Sequence, residues 1–271
     1  MADEAQSETI ALRGGAAMPL LGLGTWQLTG DEARDGARHA LEIGYRLIDT
    51  ADDYRNQAEL GEAIRDSGVA REEIFLTSKV EEDEDAHAAT GQRLRDLGQD
   101  YLDLCLLHRP PPGGAGEALW EGLLEARRDG LAREVGVSNY TAAQLDRLIE
   151  ATGEAPAVNQ VEWSPFGHSA ALLDHARAHG VVIQAYSPLT RAKRLDDPVV
   201  AEIAEVREGT PAQVLLSWAI ELGTPPVPKA ASAAHREENL GALELELGAA
   251  EVRRLGDLNE GWSALAGLPY V

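Results

Sequence analysis

Four titratable side chains of unlike chemistry stand at or just past successive apolar runs: Asp49 and Tyr54 in LIDTADDY, Lys79 in FLTSKV and His108 in LDLCLLH. A carboxylate, a phenol, an ammonium and an imidazole brought together make a proton-transfer set. A free phenol titrates at roughly pH 10, so on its own it is a poor donor at neutrality. A lysine cation beside it favours the phenolate and lowers that value. In such a set Asp49 keeps Lys79 charged and oriented, and His108 aims an N–H at a substrate oxygen. Tyr54 is then the general acid for an oxygen that gains charge, as when a carbonyl accepts hydride. This chemistry requires no metal. Singly, each residue has a plainer reading: Asp49 as a helix cap, Tyr54 as a surface phenol, His108 as a core histidine. Jointly, at three consecutive strand ends, they favour a site. Lys79 also admits a Schiff-base reading, as in aldolases.

The elements that must position these groups are legible as eight short apolar runs, at 18–24, 45–50, 73–80, 102–108, 133–139, 156–163, 181–189 and 225–230. Segments with apolar residues three and four apart lie between most of them. Near-continuous apolar strands alternating with amphipathic helices predict a parallel sheet covered by helices, and eight repeats predict a single (β/α)8 TIM barrel over residues 1–271. A doubly wound sheet would carry GxGxxG after its first strand; GLGTW lacks the third glycine, and there is no P-loop. ETIALRGGAAMPLLG reads as an N-terminal β-hairpin capping the barrel bottom. Several helical segments end in Gly, and Thr210 precedes Pro211 where a helix start tolerates proline.

Composition narrows the partners. A net charge of −22, from 46 acidic against 24 basic residues, repels phosphate backbones and anionic membranes. The acids are spread over helical segments, and only Lys79, Lys193 and Lys229 are lysines. That pattern suggests adaptation to a salty cytoplasm. No signal-peptide pattern opens the chain, and no apolar run approaches the roughly 18 residues of a membrane span, so a cytoplasmic protein is expected. Cys105 is the single cysteine and reads as a buried small apolar residue. With no thiolate cluster available, redox chemistry would use a borrowed cofactor.

In order along the chain, LGLGTW, RLIDTADDYRNQAELGEAI, FLTSKV, DLCLLHRP, GVSNY, NQVEWSPF, AYSPL, TPAQVLLSWAI and VPKAASAAHREENL resemble blocks of the aldo-keto reductases, in particular compact prokaryotic members similar to 2,5-diketo-gluconate reductases. The resemblance implies a catalytic tetrad of Asp49, Tyr54, Lys79 and His108. It further implies that Ser138, Asn139 and Gln160 hold a nicotinamide carboxamide, that Tyr186 stacks on the ring, and that Ser187 and Leu189 run along ribose and pyrophosphate. In the last block Lys229, Glu238 and Asn239 match the segment that binds the adenosine 2′-phosphate and adenine. The arginine position holds His235, with Arg236 one residue later. NADPH is the implied cofactor, with NADH as the alternative. Trp26 and Arg109 fall at the substrate pocket; Arg109 stands where many members carry an aromatic residue, and either forks onto a substrate carboxylate or pairs with acids of its loop. The expected activity is reduction of a small aldehyde or ketone to an alcohol by a monomer. The contrasting class is a nicotinamide-binding sensor without turnover.

Overall fold

The computed structural model describes residues 8–265 and 267–270. It opens with an antiparallel hairpin, β1 (Thr9–Ala11) and β2 (Ala17–Pro19), with Ile10 opposite Met18. Seven parallel strands follow in sequence order: β3 (Leu23–Gly24), β4 (Leu47–Asp49), β5 (Phe75–Val80), β6 (Leu102–Leu107), β7 (Ala132–Ser138), β8 (Val158–Glu162) and β9 (Val182–Tyr186). The eighth apolar run is not a regular strand, and its composition says why. Pro225, Pro226 and Pro228 have no N–H to donate. The run closes the barrel mainly by accepting, with Ala185 N donating to Pro225 O, Gly22 N to Pro226 O and Gly24 N to Pro228 O, while Val227 N donates to Ala185 O. The approach is close: a Cβ at Gly24 would lie 2.5 Å from Val227 O, so only glycine fits this seam. The result is a (β/α)8 barrel.

Helices α1 (Gly30–Glu42), α2 (Gln57–Asp66), α3 (Ala86–Leu97), α4 (Glu117–Arg128), α5 (Ala142–Thr152) and α6 (Ala170–Ala178) cover the strands. After α7 (Pro198–Val206) comes α8 (Pro211–Glu221), which starts at a capping box: Thr210 Oγ accepts from Gln213 N and Gln213 Oε1 from Thr210 N. α9 (Ala233–Leu240) and α10 (Ala249–Gly256) complete the layer. Helices α7, α9 and α10 were not among the expected segments. α9 buries only Arg236 and Asn239, and α10 only Leu255, so neither carries an apolar stripe for the eye to follow.

Two apolar clusters hold the molecule. The larger lies between strands and helices and includes Trp120, Trp218 and Cys105. The smaller joins Leu12 and Met18 of the hairpin to Leu47, Phe75, Val158 and Val227, near the strands' N-terminal ends. The hairpin thus plugs the bottom and leaves the opposite end open for chemistry. No helix among the described residues is long and apolar enough to cross a membrane.

Candidate active site

The open end holds a cavity of about 1340 Å³. Asp49 ends β4, and the chain then turns through a short 3₁₀ segment, Asp52–Tyr54, which swings Tyr54 back over the barrel. Lys79 lies near the end of β5, and His108 follows β6 directly. Strand geometry therefore converges the four groups. Lys79 Nζ donates to Asp49 Oδ1 at 2.8 Å, to Thr50 O at 2.9 Å and to Tyr54 Oη at 3.4 Å. The pair is buried, with side-chain exposures of 0% for Lys79 and 4% for Asp49. Asp49 Oδ2 accepts from Gln160 Nε2 at 2.7 Å, which links the tetrad to β8. The Tyr54 and His108 rings meet edge to face, 6.0 Å between centroids.

Burial changes the expected electrostatics of Tyr54. It raises the phenol's pKa, and Lys79 pulls it back only in part, so the net shift is upward where sequence reasoning anticipated a lowered one. Asp49 adds to the rise. The desolvation of a buried phenolate outweighs one shared cation. Burial also draws the Lys79 ammonium down, yet Asp49 and Tyr54 together more than offset it and hold Lys79 above its ordinary value. A Schiff-base lysine needs a neutral amine reaching the substrate. Lys79 is instead charged, fully buried, engaged by three acceptors and absent from the cavity wall.

From Tyr54 the cavity runs past Ser138, Asn139, Gln160 and Tyr186, along Ser187 and Leu189, to Lys229, His235, Glu238 and Asn239. Tyr186 Oη donates to Asn139 Oδ1 at 2.8 Å, and Asn139 Nδ2 to Ser138 Oγ at 3.0 Å, so these side chains form one continuous polar wall. Asn139 and Ser187 hold positive φ, at 67° and 49°, a strained geometry that concentrates at functional sites. Asn239 Nδ2 is buried and has no partner among the described residues.

Arg236 departs from expectation. It does not line the cavity: its guanidinium turns inward to Ala230 O and Ala231 O, both 2.9 Å, and to His39 Nδ1, pinning α9 on α1. The cation that sequence reasoning missed is Arg191, which lines the cavity with its guanidinium 5.1 Å from the Trp26 ring centroid. Arg191 sits within Thr190–Ala192, a run of positive φ at three non-glycine residues, and nothing in its residue types announces that geometry. Arg194, three residues further on, is engaged by Glu260 and Asp197.

Trp26 and Arg109 both line the same cavity as Tyr54 and His108. Arg109 pairs with Asp53, Glu81 and Glu82 at 3.4, 3.7 and 3.3 Å, all acids from other loops than its own. Glu81 was not anticipated at all, yet its Oε1 lies 2.7 Å from His108 Nδ1. Trp262 and Tyr270 do not line the cavity, whereas Leu265, Leu268 and Pro269 of the same tail do. The tail is tied to β8 through Glu162, whose carboxylate accepts from Ser263 Oγ at 2.7 Å and Ala264 N at 2.6 Å.

The sequence profile described as "Aldo/keto reductase family" matches residues 20–260. The chain belongs to the aldo/keto reductase family. Among curated relatives of this reductase is an aldo-keto reductase from Mycobacterium tuberculosis (strain ATCC 25618 / H37Rv), 42% identical over 262 residues that span 95% of this chain and 93% of the relative. A 2,5-diketo-D-gluconic acid reductase B from Corynebacterium sp. (strain SHS752001) is 39% identical over 259 residues, 93% of this chain and 94% of the relative. In three dimensions the reductase is similar to a Bombyx mori aldo-keto reductase solved in complex with NADP, at a TM-score of 0.91 and 32% identity over 97% of this chain and 96% of that one.

Proposed function

We propose that the protein is an NADPH-dependent reductase of small, neutral aldehydes and ketones, with Tyr54 as proton donor. The observation that carries the reading is the contact of one buried ammonium, Lys79 Nζ, with both Asp49 and Tyr54 Oη. The cavity fits an extended dinucleotide: it is long, it ends at the orphaned Asn239 Nδ2, and Lys229, His235 and Arg191 give it cations for phosphate. Ser138, Asn139 and Gln160 would hold the carboxamide, Tyr186 the ring face, and Lys229 with His235 the 2′-phosphate. When bound, the reduced cofactor supplies hydride to the carbonyl carbon. Tyr54, kept protonated by burial, gives its proton to the carbonyl oxygen, while Lys79 stabilises the phenolate left behind. Asp49 holds Lys79 charged for that task.

Three carboxylates around Arg109 leave the mouth with excess negative charge. Neutral carbonyls are therefore favoured over carboxylate-bearing ones, which would have to displace those acids. The test is cofactor oxidation, for NADPH and NADH separately, against matched neutral aldehydes, dicarbonyls and keto-sugar acids. Turnover with NADPH that is faster on the neutral members is expected. Tight cofactor binding with no turnover on the whole panel would move the protein to the sensor class.

A further inference from the structure

Away from the cavity, two imidazoles and a carboxylate meet on the helical layer. His175 and His179 stand four residues apart at the end of α6, in HARAH, and so share one face of the helix. Their ring centroids are 4.4 Å apart and the rings lie 33° from parallel. Asp146 reaches them from α5, with Oδ1 2.7 Å from His175 Nε2. One ligating atom from each of the three residues lies within 4.8 Å of the other two. All three residues are half-buried, so an ion can reach them from solvent, and none of them lines the cavity.

The second imidazole is already oriented for ligation. His179 Nδ1 lies 2.9 Å from the carbonyl oxygen of His175, and a carbonyl only accepts. Nδ1 therefore carries hydrogen, and Nε2 is the nitrogen left to bind. Metal-bound histidines are ordinarily held in this way, with the other ring N–H given to a carbonyl or carboxylate. The same bond satisfies one of the last carbonyls of α6, so the helix end itself fixes the ring. Arg13 of the hairpin holds that end too, its Nη1 donating to His179 O at 2.6 Å. Around the cluster, a surface with a net charge of −22 draws in divalent cations.

We propose that Asp146, His175 and His179 form a binding site for a divalent transition metal of the zinc type, which staples α5 to α6 at a distance from the tetrad. Two imidazoles and one carboxylate suit such an ion, whereas Mg²⁺ and Ca²⁺ call for oxygen ligands. The ion takes the position of the hydrogen between His175 Nε2 and Asp146 Oδ1, with His179 Nε2 as third ligand and water as the fourth. Tetrahedral ligation sets nitrogen and oxygen roughly 3.4 Å apart, so the 2.7 Å contact has to open by less than an ångström. His175 Nδ1, buried and without a partner among the described residues, is unpaired with either hydrogen or metal on Nε2 and does not oppose the exchange. The site stands independently of the reductase reading.

The test joins thermal unfolding to X-ray absorption. Unfolding of the full chain is followed at pH about 8, where imidazoles ordinarily carry a single hydrogen, with ZnCl2 or with MgCl2 at matched ionic strength. At a hundredfold excess over Kd, Zn²⁺ should raise Tm by roughly 5–10 °C, and Mg²⁺ should not. His179→Gln, which can still cap the His175 carbonyl, and Asp146→Asn should each weaken Zn²⁺ binding by more than the roughly 10- to 100-fold that losing an outer partner costs. X-ray absorption at one Zn²⁺ per chain should show two imidazole nitrogens at roughly 2.0–2.1 Å, falling to one in His179→Gln. A wild-type shell with a single imidazole, as the cluster of Asp53, Glu81 and His108 would give, overturns the proposal without any variant, which covers the case of a variant failing to fold. A Tm that Zn²⁺ leaves unmoved, or an affinity that both variants retain, overturns it as well.

Discussion

Replacing Asp49 by Asn tests the buried pair on which the site is built. At 2.8 Å and an effective dielectric of about 20, Asp49 and Lys79 attract each other by ~6 kcal/mol, of which desolvation of both groups takes back a large part. Removing one partner leaves the other charge stranded and costs about 3–5 kcal/mol. For a chain of this size, at about 2–4 °C per kcal/mol, Tm should fall by roughly 6–20 °C. Lys79→Met should cost a similar amount, because it strands the carboxylate. The double variant, Asp49→Asn combined with Lys79→Met, removes both charges and should cost no more than the worse single change. Differential scanning calorimetry of the four proteins at pH 7 closes the cycle. The pH dependence has a definite sign: Lys79 is raised above 10.5 in the folded state, so its contribution is complete below 10.5 and is lost only as pH climbs through the raised value. The gap between wild-type and Asp49→Asn stabilities should hence be widest near neutrality and close as pH climbs, because the unpartnered Lys79 of the variant gives up its proton earlier than that of the wild type. Costs that simply add in the double variant would refute the idea that the two charges act as a buried pair.

Because burial raises the Tyr54 phenol, carbonyl reduction should show no alkaline limb from Tyr54 below about pH 10, while alcohol oxidation, which needs the phenolate, should still be rising there. A limb near pH 8 that tracks Tyr54 would contradict this. Tyr54→Phe should lose roughly 10²- to 10⁴-fold in kcat with cofactor affinity intact by fluorescence titration, and an equally active variant would remove Tyr54 from its assigned role. Lys229→Ala should raise KM for NADPH about tenfold, the worth of one charge-assisted contact, and leave KM for NADH unchanged; equal effects on both cofactors would deny the 2′-phosphate assignment. With a net charge of −22, thermal stability should increase from low to molar KCl, and a fall in Tm over that range would end the salt-adaptation reading.

The barrel was readable because buried parallel strands write themselves as apolar runs, and FLTSKV and LDLCLL are buried at every position. The tetrad was readable because strand ends fix where side chains can meet. What escaped was whatever depends on which way a side chain turns once it is there. His235 and Arg236 are neighbours in sequence, yet one lines the cavity and the other is swallowed between α9 and α1. Arg109 was seen as a substrate contact or a loop ion pair, but its acids come from Asp53, Glu81 and Glu82, which only the fold brings to it. Glu81 carried no signal, sitting in the acidic stretch EEDED that resembles any solvated helix approach. The Tyr54 electrostatics failed for a related reason: a cation can be named from sequence, whereas the degree of dehydration opposing it cannot.

The seam made by Pro225, Pro226, Val227 and Pro228 also governs when this enzyme can first exist. During synthesis β3 emerges about 200 residues before the segment that must sit beside it. Asp49 likewise waits for Gln160, 111 positions later. A nascent chain can stack its helices on an open, curling sheet as each strand appears. Until the proline-rich stave slides into place, that sheet has two unguarded edges. Ring closure then follows the first strands by about 200 residues of chain, and the Lys79 ammonium finds its finished surroundings only once strands far apart in sequence have met.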